Sequence, residues 1–258
     1  MSEFVFKKKF GQNFISDKNL LSAIASDAEI SAEDEVLEIG AGAGSLTQVL
    51  SQRAKKVVSF EIDKDLQESL LALNLPNVEF VFGDFMDMDM TEVEKKFGEK
   101  FKVVANLPYY ITTPILFKLF GSKKVDSLMV MVQKEVAERA VAKVGESDFG
   151  ILSVMTALYG DAEISRIVKR QMFHPVPNVD SALLHIKMRE KFPNLDKKKF
   201  SNFVRASFSM RRKTLQNNLA GIYGKEKLQK VFDEQTLKRR AESFSLEEFV
   251  EMFEKISA

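Results

Sequence analysis

Between residues 36 and 132, short apolar runs alternate with stretches of helical spacing. The runs fall at 36–39, 57–60, 78–82, 101–105 and 126–132. Segments this short and apolar suit strands buried on both faces. Helical spacing follows at 45–54, 65–74, 112–120 and 134–142. The alternation predicts βα units and a mostly parallel sheet. A helix at 18–28, capped by Ser16 or Asp17, precedes it, and another is expected at 150–159. Two late strands, 162–168 and 181–188, have no helix between them, so one is expected to run antiparallel.

After Met188 the texture changes. Phe192-Pro193-Asn194 reads as a linker. Phe200, Phe203, Val204 and Phe208 then fall on one helical face, and further helices are expected at 214–220, 225–232 and 246–256. The fold class is therefore α/β with a small C-terminal all-helical domain, divided as 1–190 and 191–258.

The ends of the first four strands carry the chemistry. Gly40-Ala41-Gly42-Ala43-Gly44 follows the first and lets a ligand approach the backbone. Glu61 ends the second, where a carboxylate can accept both hydroxyls of a ribose. Asp84 ends the third, where it can accept from an adenine amino group. Ser45 stands where the dinucleotide fingerprint needs Gly or Ala, and no phosphate-binding G-x-x-x-x-G-K-[ST] run is present. A nucleoside site without a phosphate cradle fits S-adenosylmethionine better than NAD.

The fourth strand ends in Asn106-Leu107-Pro108-Tyr109, with Thr113 as the expected helix cap and Pro114 in the first turn. An exocyclic amine on adenine is a weak nucleophile because its lone pair is delocalised into the ring. The side-chain carbonyl of Asn106 and the backbone carbonyl of Leu107 can accept its two N–H groups and favour a pyramidal nitrogen. Tyr109 offers a ring on which the base can stack, and Phe173 in the proline-rich stretch 171–181 offers a second wall. The expected role of Asn106 is positioning and electrostatics, without proton abstraction.

Net charge is only +1, yet charge is unevenly spread. Residues 29–99 carry 16 acids and 6 bases, a net of −10, whereas 187–230 carry 13 bases and 3 acids, a net of +10. The basic block is a candidate nucleic-acid footprint. The chain has no Cys, which excludes disulfides and thiolate metal sites, and His174 and His185 are too few for most metal centres, so no metal is expected. No apolar stretch is long enough to span a bilayer, and Lys7-Lys8-Lys9 is not followed by the apolar run of a secretory signal.

Together these stretches resemble a known family. Lys9-Phe10-Gly11-Gln12-Asn13-Phe14, the 38–44 loop, the 106–114 stretch, the 173–181 stretch and Ser209-Met210-Arg211-Arg212-Lys213-Thr214-Leu215 are similar, in order, to the KsgA-type small-subunit (16S) ribosomal RNA adenine N6,N6-dimethyltransferases. The resemblance implies a Rossmann-like class I methyltransferase sheet. It implies that S-adenosylmethionine dimethylates N6 of two adjacent adenosines in the 3′-terminal hairpin of that RNA during 30S assembly. It implies that Asn13 and Ile15 flank the cofactor, Gly40 and Gly42 line it, Glu61 holds the ribose, Asp84 the adenine, and Asn106 both cofactor and target. Ile15 replaces the leucine frequent in the family. Residues 7–14 would form a lid over the pocket. Lys198, Arg205, Arg211, Arg212 and Lys213 would contact RNA phosphates; Lys198, Arg205 and Arg212, spaced by seven, would share a face if the helix continued that far. A cytoplasmic monomer is expected. Rival readings are the macrolide-resistance type acting on large-subunit RNA, a non-catalytic assembly factor and an NAD-dependent oxidoreductase. Pro114 and the Phe173 loop favour the small-subunit type.

Overall fold

The structure, a computed structural model, describes residues 13–257. The strands are β1 (Phe14–Ile15), β2 (Glu35–Ile39), β3 (Lys56–Glu61), β4 (Val78–Phe82), β5 (Phe101–Asn106), β6 (Val125–Gln133), β7 (Gly160–Val168), β8 (Phe173–His174) and β9 (Ser181–Met188). The helices are α1 (Lys18–Asp27), α2 (Ser45–Ser51), α3 (Gln67–Leu71), α4 (Met90–Glu94), α5 (Thr112–Phe120), α6 (Lys134–Val141), α7 (Ile151–Tyr159), α8 (Lys197–Ser207), α9 (Leu215–Tyr223), α10 (Lys225–Val231), α11 (Glu234–Lys238) and α12 (Leu246–Ser257).

Seven strands form one sheet in the order β4-β3-β2-β5-β6-β9-β7. The pairings from β4 through β6 are parallel, and β9 joins β6 antiparallel, as the missing crossover helix required. Val36, Leu37, Val57, Val58, Val103 and Val104 are all but fully buried, which explains why these strands read as unbroken apolar runs.

The order places the ligand site. The chain winds from β2 outward through β3 to β4, then returns to the other side of β2 to lay down β5 and β6. Winding therefore reverses between β2 and β5, and such a reversal opens a crevice at the carboxyl ends of the strands. Ile39 registers against Ala105, so the next residues, Gly40 and Asn106, leave the sheet side by side.

Two compact units form. One holds the described residues up to Ala137 with Glu163–Met188; the other holds Glu138–Ala162 with the described residues from Arg189 onward. The segment 138–162, grouped from sequence with the first domain, here belongs with the C-terminal helices. That second unit is built on phenylalanine. Phe200 and Phe203 of α8 meet Phe253 of α12 at 5.6 and 5.8 Å between ring centroids, and Phe208 and Phe244 pack on Phe249. Ring pairs of this kind add roughly 0.5–1.5 kcal/mol each beyond the area they bury.

Two local expectations are corrected. Thr113 is not the cap of α5: it is the second residue of the helix, whose cap position is Ile111, and the Thr112 hydroxyl donates to the Pro108 carbonyl at 3.1 Å. Arg212 does not share a face with Lys198 and Arg205, because α8 stops at Ser207. The expected lid lies outside the described residues as far as residue 12. Among the described residues no helix is long and apolar enough to cross a membrane.

Candidate active site

The glycine loop leaves β2 with left-handed backbone at Gly40, Gly42 and Gly44. Gly40 N–H and Ala41 N–H donate to the Phe60 carbonyl at 2.8 and 3.1 Å. Glu61, 4% exposed, pins the loop from β3: Oε2 accepts from Gly42 N–H at 2.7 Å and Oε1 from Asp63 N–H at 2.8 Å. A carboxylate has about four acceptor positions, so Glu61 keeps acceptor capacity for a further donor. Burial pushes the Glu61 carboxyl above its ordinary value, against the N–H groups of Asp63 and Gly42 that pull it down; the Asp63 charge adds to the rise.

Behind the loop stands Glu38, fully buried. Its Oε2 accepts from Thr47 Oγ1 at 2.6 Å and Ser59 Oγ at 2.5 Å, which ties β2 to α2 and β3. Oε1 has no partner among the described residues. Burial raises this carboxyl to about 7, opposed by the two hydroxyl donors and reinforced by the charge of Glu61.

Asn13, Ile15, Gly40, Gly42, Glu61 and Asn106 line one cleft. Asn106 Nδ2 donates to the Asn13 carbonyl at 2.8 Å. Only the NH₂ end of an amide can face a carbonyl, so Oδ1 is the end left for a ligand. Leu107 is buried, and its N–H donates to the Met131 carbonyl at 3.1 Å, which anchors the loop to β6. A second cleft, lined by Asp84, Phe85, Tyr110 and Ile115 among others, shares Gly40, Ile62 and Pro108 with the first. Asp84 Oδ1 accepts from Met86 N–H at 2.8 Å and so fixes the turn after β4.

Tyr109 is half-buried, and its hydroxyl lies 2.7 Å from Ser181 Oγ of β9. Burial raises its pKa, so the ring stays a neutral phenol. Phe173 is not brought to the clefts. It is 2% exposed, pairs with Ile15 across the β1–β8 ribbon, and joins the core with Ile24 and Leu183. The pairing turns its ring inward, so it offers no face to a base in this conformation.

In the helical unit Lys198 and Arg205 are exposed on α8. Arg211, Arg212 and Lys213 lie exposed in the turn just before α9, which Thr214 caps. Buried Asn218 clamps that turn: Nδ2 donates to the carbonyls of Ser207 at 2.6 Å and Met210 at 3.3 Å, and Oδ1 accepts from Ser209 Oγ. Arg211 donates to the Ser147 carbonyl.

A sequence model of the ribosomal RNA adenine dimethylase family matches residues 3–258. The chain belongs to that family. It is 45% identical, over 95% of its own length and 89% of the relative's, to a ribosomal RNA small subunit methyltransferase A of Bacillus mycoides, and shares the same identity with one of Bacillus anthracis. Among solved structures, a dimethyladenosine transferase from Plasmodium falciparum superposes with a TM-score of 0.82 at 26% identity, covering 95% of this chain and 98% of that one. The 23S rRNA methyltransferase ErmE superposes with a TM-score of 0.69 at 28% identity, covering 95% and 100%. This dimethylase is a methyltransferase with a mostly parallel Rossmann-like sheet.

Three groups in or behind the dimethylase site escaped the sequence reading. Tyr110, 61% exposed, lines the second cleft although the stretch drew notice only to Tyr109. Ser181 opens β9, and nothing in the sequence ties it to Tyr109. Lys118 lines neither cleft but binds the backbone just after β4, and its spacing from the 106–114 stretch is that of any helical lysine.

Proposed function

We propose that the protein dimethylates N6 of two adjacent adenosines in the 3′-terminal hairpin of small-subunit ribosomal RNA, within the assembling 30S particle, with S-adenosylmethionine as methyl donor. The observation that carries this reading is Asn106, held by Asn13 at the wall of the cleft that Gly40, Gly42 and Glu61 also line. The small-subunit substrate is supported by the 45% identity to relatives so named.

The residues fit this cofactor. A buried carboxylate with acceptor capacity to spare suits ribose hydroxyls, and the glycine backbone leaves room that a Cβ would fill. When bound, S-adenosylmethionine supplies an electrophilic methyl group on a sulfonium. Glu61 holds the ribose, Asp84 accepts from the adenine amino group, and Asn13 and Ile15 flank the cleft. Asn106 Oδ1 and the Leu107 carbonyl accept the N–H groups of the target amine. As the nitrogen gains positive charge, both acceptors stabilise it without taking a proton. Tyr109 is the stacking face for the extruded base, worth roughly 1–3 kcal/mol. The base's second wall is unassigned while Phe173 stays in the core. The unit that carries the sheet would do this chemistry and the helical unit would hold RNA, in a cytoplasmic monomer.

Gly42 tests the cleft directly. A Cβ there would lie 2.8 Å from Phe14 Cε1 in left-handed backbone. Gly42→Ala is expected to weaken cofactor binding about 10-fold or more by calorimetry, since left-handed alanine costs about 1–2 kcal/mol before the ring moves. Unchanged affinity would remove the loop from the site.

The basic turn would position RNA by its phosphates. Affinity for 30S particles should fall steeply with salt, and Arg212→Ala should lower the slope of log K against log salt by about one. A flat salt response in the unaltered protein would end the phosphate reading.

The decisive assay is transfer of labelled methyl to 30S particles lacking the modification, with the labelled nucleotides mapped. Two adjacent dimethylated adenosines are expected. Labelling of protein-free large-subunit RNA instead would move the protein to the macrolide-resistance type.

A further inference from the structure

The second cleft is bounded by the turn after β4, and one ammonium group holds that turn from below. Lys118 sits on α5, the helix that starts in the Asn106 loop. Its Nζ donates to the carbonyls of Phe85 at 2.7 Å, Met86 at 2.8 Å and Met88, and lies 5.0 Å from the Phe85 ring centroid. A lysine has three donors, so all are spent on one stretch of backbone. Three carbonyl dipoles converging on a point repel one another unless a cation sits there. Asp84 Oδ1 secures the same turn from the other side through Met86 N–H. Phe85, 4% exposed, is wedged between the ammonium and Phe60, whose ring centroid lies 5.4 Å away.

Lys118 thereby joins two loops of different duty: the one that presents Asn106 and the one that presents Asp84. Burial lowers its pKa and the charges of Asp84, Asp87 and Asp89 raise it, so the cation answers a local excess of acid.

We infer that Lys118 is a positioning residue that sets the base selectivity of the cofactor site, by holding Asp84 where it accepts from an adenine amino group. The inference rests on the role proposed for Asp84. Adenine presents a donor at its six-position, whereas hypoxanthine presents a carbonyl that a fixed carboxylate repels. A carboxylate on a loosened turn can swing away and let water bridge the mismatch, so selectivity is lost before binding is.

The test is calorimetric affinity for S-adenosylhomocysteine and for its hypoxanthine counterpart, S-inosylhomocysteine. The unaltered protein is expected to prefer adenine about 10²-fold or more, the scale for a buried polar group left facing the wrong partner. Lys118→Met keeps most of the stem and removes the charge; Lys118→Gln keeps two donors without charge or full reach. Each should cut the preference below about tenfold, with kcat at saturating S-adenosylmethionine within about threefold. Lys118→Arg, which keeps the charge, should restore most of the preference. If either neutral variant weakens both ligands by one common factor, the ratio unchanged, Lys118 is merely structural and the inference is overturned. If the unaltered protein itself shows no preference, the Asp84 assignment falls and takes the inference with it, while the methyl-transfer assay on 30S particles still stands.

Discussion

Asn106→Ala is expected to lower kcat for methyl transfer to unmodified 30S particles roughly 10²–10³-fold at saturating cofactor. That is the scale for losing one preorganised polar group aimed at developing charge. The target amine has little nucleophilicity until its hydrogens are drawn out of the ring plane, and Asn106 Oδ1 is oriented for this because Nδ2 is spent on the Asn13 carbonyl. The same bond implies a smaller loss of cofactor affinity, as the Asn13 wall loosens. Asn106→Asp separates the two effects. It keeps the acceptor but sets a second oxygen against the Asn13 carbonyl, so KM for cofactor should rise more than in the alanine variant. Single-turnover transfer measures the first effect; a rate within tenfold of the unaltered enzyme for Asn106→Ala would remove Asn106 from catalysis. The variant also bears on assembly: particles maturing normally with it would show that binding, without methylation, suffices there.

Glu38→Gln should change how stability responds to pH. The native carboxyl keeps its proton up to about pH 7, while an unfolded one releases it near the ordinary 4.5. Between those values the native state holds more protons than the unfolded state, so this group's contribution falls as pH rises and is lost once pH passes about 7. The difference amounts to about 3 kcal/mol, because each pKa unit is worth about 1.4 kcal/mol. Glutamine cannot ionise, and its carbonyl can still accept from Thr47 and Ser59. The variant should match the parent near pH 4.5 and exceed it by about 3 kcal/mol near pH 8, in urea unfolding followed at both pH values. Titrating groups other than Glu61, whose charge acts on Glu38, cancel in the comparison. Parallel stability profiles for the two proteins would show that the native Glu38 carboxyl is not raised above its unfolded value.

The sheet was legible because its central strands β2, β3, β5 and β6 are largely buried on both faces and so read as solid apolar runs. β4 and β9 match the expected runs end to end. The Asn106 loop and its neighbours were legible because a strand end beside glycine or proline leaves few options for the backbone. What escaped depends on contacts between distant residues. The β1–β8 ribbon is two residues long on each side, too short to carry a period, yet it decides that Phe173 faces the core. The heptad spacing of Lys198, Arg205 and Arg212 suggested a shared face, but Ser207 ends the helix and Asn218 folds the next residues into a turn. The grouping of 138–162 with the C-terminal helices needs chain reversals that no local pattern records.

The β1–β8 ribbon also has a consequence for the order in which the molecule is made. Synthesis delivers Ile15 early, but its strand partner, Phe173, leaves the ribosome only after β2 through β7 have been built. One wall of the cofactor cleft thus waits for a distant segment, and an unfinished chain can complete its sheet up to β6 while that wall has nothing to pair with. Competence to bind the methyl donor should therefore arrive late and all at once, a closing step in the protein's own birth.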